Sequence, residues 1–255
     1  MKSQWRLTSL AFFCFLLLAL SSGRITKQKR VKVVSMPSIL INTTCIMNKL
    51  FIIGLPRTGT TSISVALLDY GFKVAHTAYT KRAFELADVI SDAPCFCDYP
   101  QLDKLFPNSR FVYLERALEG WIPSMLMLLN KMLPELTPKT GYLHPVLKRS
   151  INTSFNLSTT TDPLSEEHLT TCYLEHQQQV LEYFSNRDDF LKLDISQSGS
   201  LKMLLQFLEI HADAATEFPH LNTGKQVDNW QKLKHANKIN TLSSGTEHRK
   251  FFDYS

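Results

Sequence analysis

The chain lacks most of the features that assign a protein quickly. It has five cysteines in 255 residues, and no Cys-x2-Cys or His pair stands near Cys95 and Cys97 to complete a zinc site. No internal repeat is visible, so a solenoid or propeller is excluded. The body carries no excess of either charge. The formal net charge of +5 arises from a cluster near the N-terminus, Arg24, Lys27, Lys29, Arg30 and Lys32, and the remainder is nearly balanced. The basic character is therefore no nucleic-acid signature, and no nucleic-acid partner is expected. The longest apolar run, residues 7–20, is fourteen residues, against the roughly 20 that a membrane span needs.

What is present is an ordinary globular composition, 44% hydrophobic and 20% charged, on a chain long enough for one sizeable domain. Residues 1–23 read as a targeting segment: Lys2 and Arg6, the apolar run, then Ser21-Ser22-Gly23. A cleaved signal peptide and a Golgi-type signal anchor both fit it. Either leads to the secretory pathway, as a Golgi-lumenal single-pass type II protein or a secreted one. Membrane contact is then expected only through that segment. Asn42, Asn152 and Asn156 each open an Asn-x-Ser/Thr sequon and are candidate N-glycan sites. With Cys14 in the apolar run, Cys45, Cys95, Cys97 and Cys172 remain as an even set for an oxidising compartment. Cys95 and Cys97 are too close to pair easily with each other; each could bridge outward, to Cys45 or Cys172.

Residues 24–48 read as a stem, 49–228 as the domain and 229–255 as a polar tail. Within the domain the pattern predicts strands at 49–53, 72–76, 110–114 and 190–195. Helices are expected at 60–70, 80–89, 98–106, from 118 onward, at 166–185 and at 200–210. Residues 134–164, rich in Pro, Thr and Ser, read as a variable insertion. Alternating strands and helices predict an α/β fold with a central, mostly parallel sheet flanked by helices in three layers. Ligands of such sheets sit at the carboxyl ends of the strands.

The most informative stretch is Lys49-Leu-Phe-Ile-Ile-Gly54-Leu-Pro56-Arg57-Thr58-Gly59-Thr60-Thr61-Ser62. An apolar strand runs into a tight Gly/Pro turn and then into a hydroxyl-rich helix start. Such a turn directs backbone N–H groups and the positive end of a helix dipole at one point, which suits a phosphate. The spacing is Gly-x4-Gly, as in a P-loop, but Thr60 stands where a nucleoside triphosphatase carries Lys. Arg57 supplies the cation from within the turn. Further on, Arg116 follows a predicted strand and Ser124 lies eight residues later; a guanidinium fork and a hydroxyl together can grip a second phosphate.

These two elements, in this order, resemble the sulfotransferase superfamily, which uses 3′-phosphoadenosine 5′-phosphosulfate (PAPS). Pro56-Arg57-Thr58-Gly59-Thr60-Thr61 is similar to the 5′-phosphosulfate loop. Phe111 to Arg116, with Ser124, is similar to the 3′-phosphate element. Ser91-Asp92-Ala93-Pro94, Phe106-Pro107-Asn108-Ser109-Arg110-Phe111 and Phe218-Pro219-His220-Leu221-Asn222 resemble one branch of these proteins, over residues 49–225.

The resemblance implies a P-loop-NTPase-like fold and transfer of a sulfuryl group from PAPS to a hydroxyl acceptor, a glycan or a similar alcohol, with no metal. It assigns the leaving phosphate to Arg57. The donor falls to Arg57, Thr58, Gly59, Thr60, Thr61 and Ser62 with Arg116 and Ser124. Asp92 is the first candidate for the general base, with His76 and Glu85 as alternatives. Ser62 stands where the cytosolic branch has a Trp for the adenine, and Gly224-Lys225 is faintly similar to a late 3′-phosphate loop. Tyr142 and His144, in the insertion, are expected to help shape the acceptor pocket. Two other readings stay open: a P-loop nucleoside or sugar kinase, and a non-catalytic lumenal protein that retains the fold.

Overall fold

A strand buried on both faces has no polar side to alternate with, so its sequence is a short continuous apolar run. β1 (Leu50–Ile52) is such a strand, and all of it is buried. The computed structural model describes residues 49–136, 141–211, 217–218 and 229–244, all within a single unit, Cys45–Ser255. The targeting segment, the stem, Asn42, Cys45, Pro219 to Asn222, Gly224 and Lys225 lie outside the described residues.

With β2 (Val74–Ala75), β3 (Val89–Ser91), β4 (Arg110–Leu114) and β5 (Phe190–Leu193), β1 forms a five-stranded sheet of order β2-β3-β1-β4-β5. Every pairing is parallel, and Phe51 is level with Ile90 on one side and Phe111 on the other. Side chains alternate across a strand, and here the alternation divides two cores. Leu50, Ile52, Val112 and Leu114 face one cluster, into which α1 (Thr60–Asp69) and α7 (Ser200–Phe207) send Leu67 and Leu204. Phe51, Ile53, Phe111 and Tyr113 face the other, filled by Phe84 of α2 (Lys81–Leu86), Leu102 of α3 (Cys95–Leu105) and Val180 of α6 (Glu166–Tyr183). The three-layer α/β fold expected from the sequence is thus realised. α1 also stops where expected. Gly71 takes φ 88°, its N–H donates to the Leu68 carbonyl, and the Phe72 N–H donates to that of Leu67, the Schellman arrangement.

A third cluster joins α4 (Leu118–Met132), α5 (Pro145–Phe155) and α6. Within 134–164, read from the sequence as an insertion, the structure places the helix α5. α5 buries Val146, Ile151 and Phe155, and Arg149 grips the buried Asp98 of α3 through both carboxylate oxygens. Pro145 occupies the first helical turn, where its missing N–H costs nothing. Asn152 and Asn156 are exposed, on α5 and at its left-handed C-cap.

Other expectations shift as well. The helix predicted over 80–89 is α2, ending at Leu86, followed by the separate strand β3. Residues 229–244, expected within a polar tail, pack on the domain. α8 (Asn229–Lys232) opens the segment, Trp230 and Leu233 pack against the first cluster, and Lys238 bridges in parallel to Val74. The described cysteines, Cys95, Cys97 and Cys172, are free thiols. α3 turns Cys95 into the second cluster and Cys97 toward the third, and burial pushes the Cys97 thiol up to about 12. No described helix is long and apolar enough to cross a membrane.

Candidate active site

Parallel strands bring all their carboxyl ends to one edge. The chain leaves β1 toward β2, returns through β3, and then crosses to β4 and β5 on the other side of β1. Where the winding changes direction, a crevice opens between the strand ends. The segments entering it are 53–59 after β1, His76 after β2, Asp92 after β3 and Glu115-Arg116 after β4.

Two glycines set the path of the β1–α1 loop. A Cβ on Gly54 would lie 2.6 Å from Leu114 Cβ and 2.8 Å from the Leu114 carbonyl oxygen, so the loop can pass β4 only without a side chain. Gly59 N-caps α1 at φ 108°, a conformation that suits glycine. Between them Arg57 holds φ 72°. The loop is pinned from three sides. Trp121 Nε1 donates to the Pro56 carbonyl at 2.9 Å, Thr58 Oγ1 to that of Leu55 at 2.7 Å, and Arg116 Nη1 to that of Arg57 at 2.8 Å. Arg57 Nε donates in turn to Ser124 Oγ at 2.7 Å. The first turn of a helix leaves its opening N–H groups without carbonyl partners inside the helix, and in α1 this end meets the loop.

Opposite the arginines stands a carboxylate–imidazole pair. Thr60 Oγ1 donates to Asp92 Oδ2 at 3.3 Å, Thr61 Oγ1 and His76 Nε2 are 2.9 Å apart, and His76 Nδ1 lies 4.0 Å from Asp92 Oδ2. A buried hydroxyl relay supports them: Ser64 Oγ donates to the Thr60 carbonyl, Ser64 and Ser91 hydroxyls are 2.8 Å apart, and Ser91 Oγ donates to the His76 carbonyl. Burial holds the His76 imidazole below its ordinary pKa, with Asp92 pulling the other way. Asp92 itself has φ 57°, a region that short polar side chains tolerate.

A cavity of about 320 Å³ receives Arg57, Gly59, Thr60, Thr61, His76, Asp92 and Arg116 together, near the lower bound of roughly 300 Å³ for small-molecule sites. Other residues named from the sequence lie behind or away from its wall. Thr58 and Ser62 are buried, and Ser124 stands behind Arg57. Glu85 pairs with Arg82 on the exposed face of α2, which argues against it as the base. Tyr142 is 95% exposed, and His144 stacks on Tyr79, a residue of the cavity wall, at 4.3 Å. Sequence reasoning missed Tyr79, Trp230 and Thr241, which line the cavity. The last two arrive through long-range pairing that no local pattern announces.

The charge balance of the cavity is positive. Of the six described arginines, Arg82, Arg110, Arg149 and Arg187 are ion-paired, while Arg57 and Arg116 are not. Arg57 is held below its usual pKa by burial and then by the Arg116 charge, against a smaller pull from Asp92. Two neighbouring guanidinium groups without an ion-pair partner are a site for an anion. Among the described residues, no group of three or more His, Cys, Asp or Glu side chains is placed to hold a metal.

No curated protein matches the chain. A family model, the sulfotransferase domain, matches residues 77–227, more than half of the sequence, and takes in Asp92, Arg116 and Ser124. The β1–α1 loop precedes the matched stretch and is joined to it through the Arg116 and Ser124 hydrogen bonds. With this match over more than half of its length and its parallel sheet, the chain belongs to the sulfotransferase domain family, whose enzymes transfer sulfuryl groups.

Proposed function

We propose that the protein moves a sulfuryl group from PAPS to a hydroxyl of a carbohydrate acceptor in the lumen of the secretory pathway. The observation that carries the donor half is the pair Arg57 and Arg116, the described arginines that form no ion pair, facing one cavity beside a helix N-terminus. Two cations on separate strand ends fit a donor with two anionic groups better than they fit a single phosphate. Arg57 and the first turn of α1 hold the 5′-phosphosulfate. Arg116 holds the 3′-phosphate together with Ser124, whose hydroxyl accepts from Arg57 Nε at 2.7 Å.

Transfer is an in-line displacement at sulfur. The acceptor oxygen forms its bond to sulfur while the bond to the bridging phosphate oxygen breaks and leaves its electron pair there. Arg57 stabilises that developing charge. The acceptor's proton goes to Asp92, on the opposite side of the cavity from Arg116. Among the described residues, Asp92 Oδ2 receives only the long Thr60 bond at 3.3 Å, which leaves it room to accept another. His76, held neutral by burial, adds no competing positive charge there.

The secretory location rests on the targeting segment and the sequons. Asn152 and Asn156, being exposed, are accessible to glycosylation.

The donor assignment is tested by calorimetry with 3′-phosphoadenosine 5′-phosphate (PAP) in the absence of Mg²⁺, against Mg-ATP. PAP should bind the more tightly, and Arg57→Ala and Arg116→Ala should each abolish its binding. Equal or tighter binding of Mg-ATP sinks the reading in favour of a kinase. Tight PAP binding without radiolabelled sulfate transfer to any hydroxyl acceptor points instead to a non-catalytic protein.

A further inference from the structure

Residues 229–244 do more than cover the domain. Ile239 N–H donates to the Val74 carbonyl at 2.9 Å, Val74 N–H to that of Asn237 at 3.0 Å, and Tyr79 N–H to that of Thr241 at 3.1 Å. These bonds lay the segment along the outer side of β2, at the end of the sheet where His76 stands. Thr77 and Thr241 hydroxyls meet at 2.8 Å. Lys238 Nζ donates to the Trp230 and Leu233 carbonyls at the close of α8 and lies 4.9 Å from the Trp230 ring centroid. The indole is thus fixed in place, half-buried, with its ring centroid 5.3 Å from that of His76.

Trp230, Gln231 and Thr241 line the cavity that holds Arg57, Asp92 and Arg116. They also line a larger open groove of about 840 Å³ outside it, with Lys234, His235 and Asn240. Trp230 therefore stands where the groove meets the inner cavity, on the Asp92–His76 side. The arginine pair lies on the β1 and β4 side, so the indole is better placed for the acceptor than for the donor.

We propose that Trp230 positions the acceptor, and that the acceptor is an oligosaccharide. A pyranose ring has one face of C–H bonds and a rim of hydroxyls. An immobilised indole offers a broad, rigid apolar surface for the first, and the Gln231 amide and Thr241 hydroxyl offer partners for the second. The groove accommodates further sugar units beyond the one delivered to Asp92. This inference rests on the sulfuryl-transfer reading above.

The full chain is assayed with radiolabelled PAPS against N-acetyllactosamine and desulfated chondroitin oligosaccharides, with p-nitrophenol and a simple alkyl alcohol alongside. PAP affinity is measured in parallel on the same preparations. Transfer is expected to the saccharides. Trp230→Ala should raise the saccharide KM about tenfold or more, the loss of one aromatic contact of ~1.4 kcal/mol, with the PAP dissociation constant unchanged. Trp230→Phe should restore most of the loss. Unchanged PAP affinity in Trp230→Ala also shows that the site is still folded. Transfer to no saccharide, a saccharide KM that does not move in Trp230→Ala, or PAP affinity falling in step with it overturns the proposal. Failure of the unmodified protein to bind PAP instead overturns the donor assignment.

Discussion

The guanidinium of Arg116 donates to the backbone carbonyl of Arg57 at 2.8 Å. A residue at the end of β4 thereby holds the middle of the loop that follows β1, where the backbone takes φ 72°. The second cation of the site is also the clamp on the first.

Arg116→Lys should therefore fail as a conservative change. Lysine keeps the charge but loses the planar fork that serves an anion and a carbonyl together. PAP affinity is expected to fall at least tenfold, a cost of about 1.4 kcal/mol or more, as read by calorimetry. Near-native affinity in Arg116→Lys would show that charge alone suffices.

Gly54→Ala and Gly59→Ala should differ in what rescues them. At Gly54 the obstacle is partly backbone, the Leu114 carbonyl oxygen at 2.8 Å, so no single side-chain truncation restores the fold. At Gly59 a Cβ meets the tip of Ile195, 2.2 Å away, and adopts a left-handed conformation at φ 108°. Truncating Ile195 to Ala relieves the contact but leaves a strain of about 1–3 kcal/mol. Thermal denaturation of the single and double variants tests this order, and full recovery of Gly59→Ala by Ile195→Ala would count against it.

Asp92→Asn should leave PAP binding intact and lower kcat by roughly 10²–10⁴, the usual contribution of a general base. His76→Gln should have a much smaller effect on kcat. A reversed ranking would move the base to His76.

His176 gives a pH dependence unrelated to catalysis. Its imidazole is buried, Nε2 lies 2.7 Å from the Phe96 carbonyl, and Nδ1 is buried without a hydrogen-bond partner. Burial lowers its pKa from 6.5 to about 4. A depressed pKa means the unfolded chain binds the proton first, so the stability present above pH 6.5 is lost as pH falls toward about 4. The loss should be of the order of 2 kcal/mol by about pH 5. Urea denaturation across this range should show the slope, and His176→Gln should flatten it.

What was legible in the sequence was whatever local chemistry dictates. The β1–loop–α1 unit announced itself through an apolar strand, two glycines and a run of hydroxyls, and β4 through Phe111 to Leu114. Arg57 and Arg116 could be brought together on paper because each follows a predicted strand of a parallel sheet, whereas Asp92 and His76 were named through the family resemblance. β3 was hidden because a fully buried strand of three residues has no period of its own, and its Val89 continued the helical pattern of α2. α5 was obscured by the prolines and threonines around it, although Pro145 is itself a helix-start signal. The segment carrying Trp230 was invisible for a different reason. It joins β2 through backbone bonds between Val74 and both Asn237 and Ile239, which leave no trace in side-chain periodicity.

That backbone pairing has a consequence for the fate of an activated donor. In sulfuryl transfer, water is a competing nucleophile, and its concentration far exceeds that of any alcohol. The wall made by Trp230, Gln231 and Thr241 is tied to the edge of β2, beside His76 rather than beside the arginines. Loosening it would, in the proposed reaction, leave the arginine side of the cavity in place while disturbing the acceptor side, so hydrolysis of the donor would gain on transfer. In the proposed reaction, the last described stretch of the chain thus governs which nucleophile arrives.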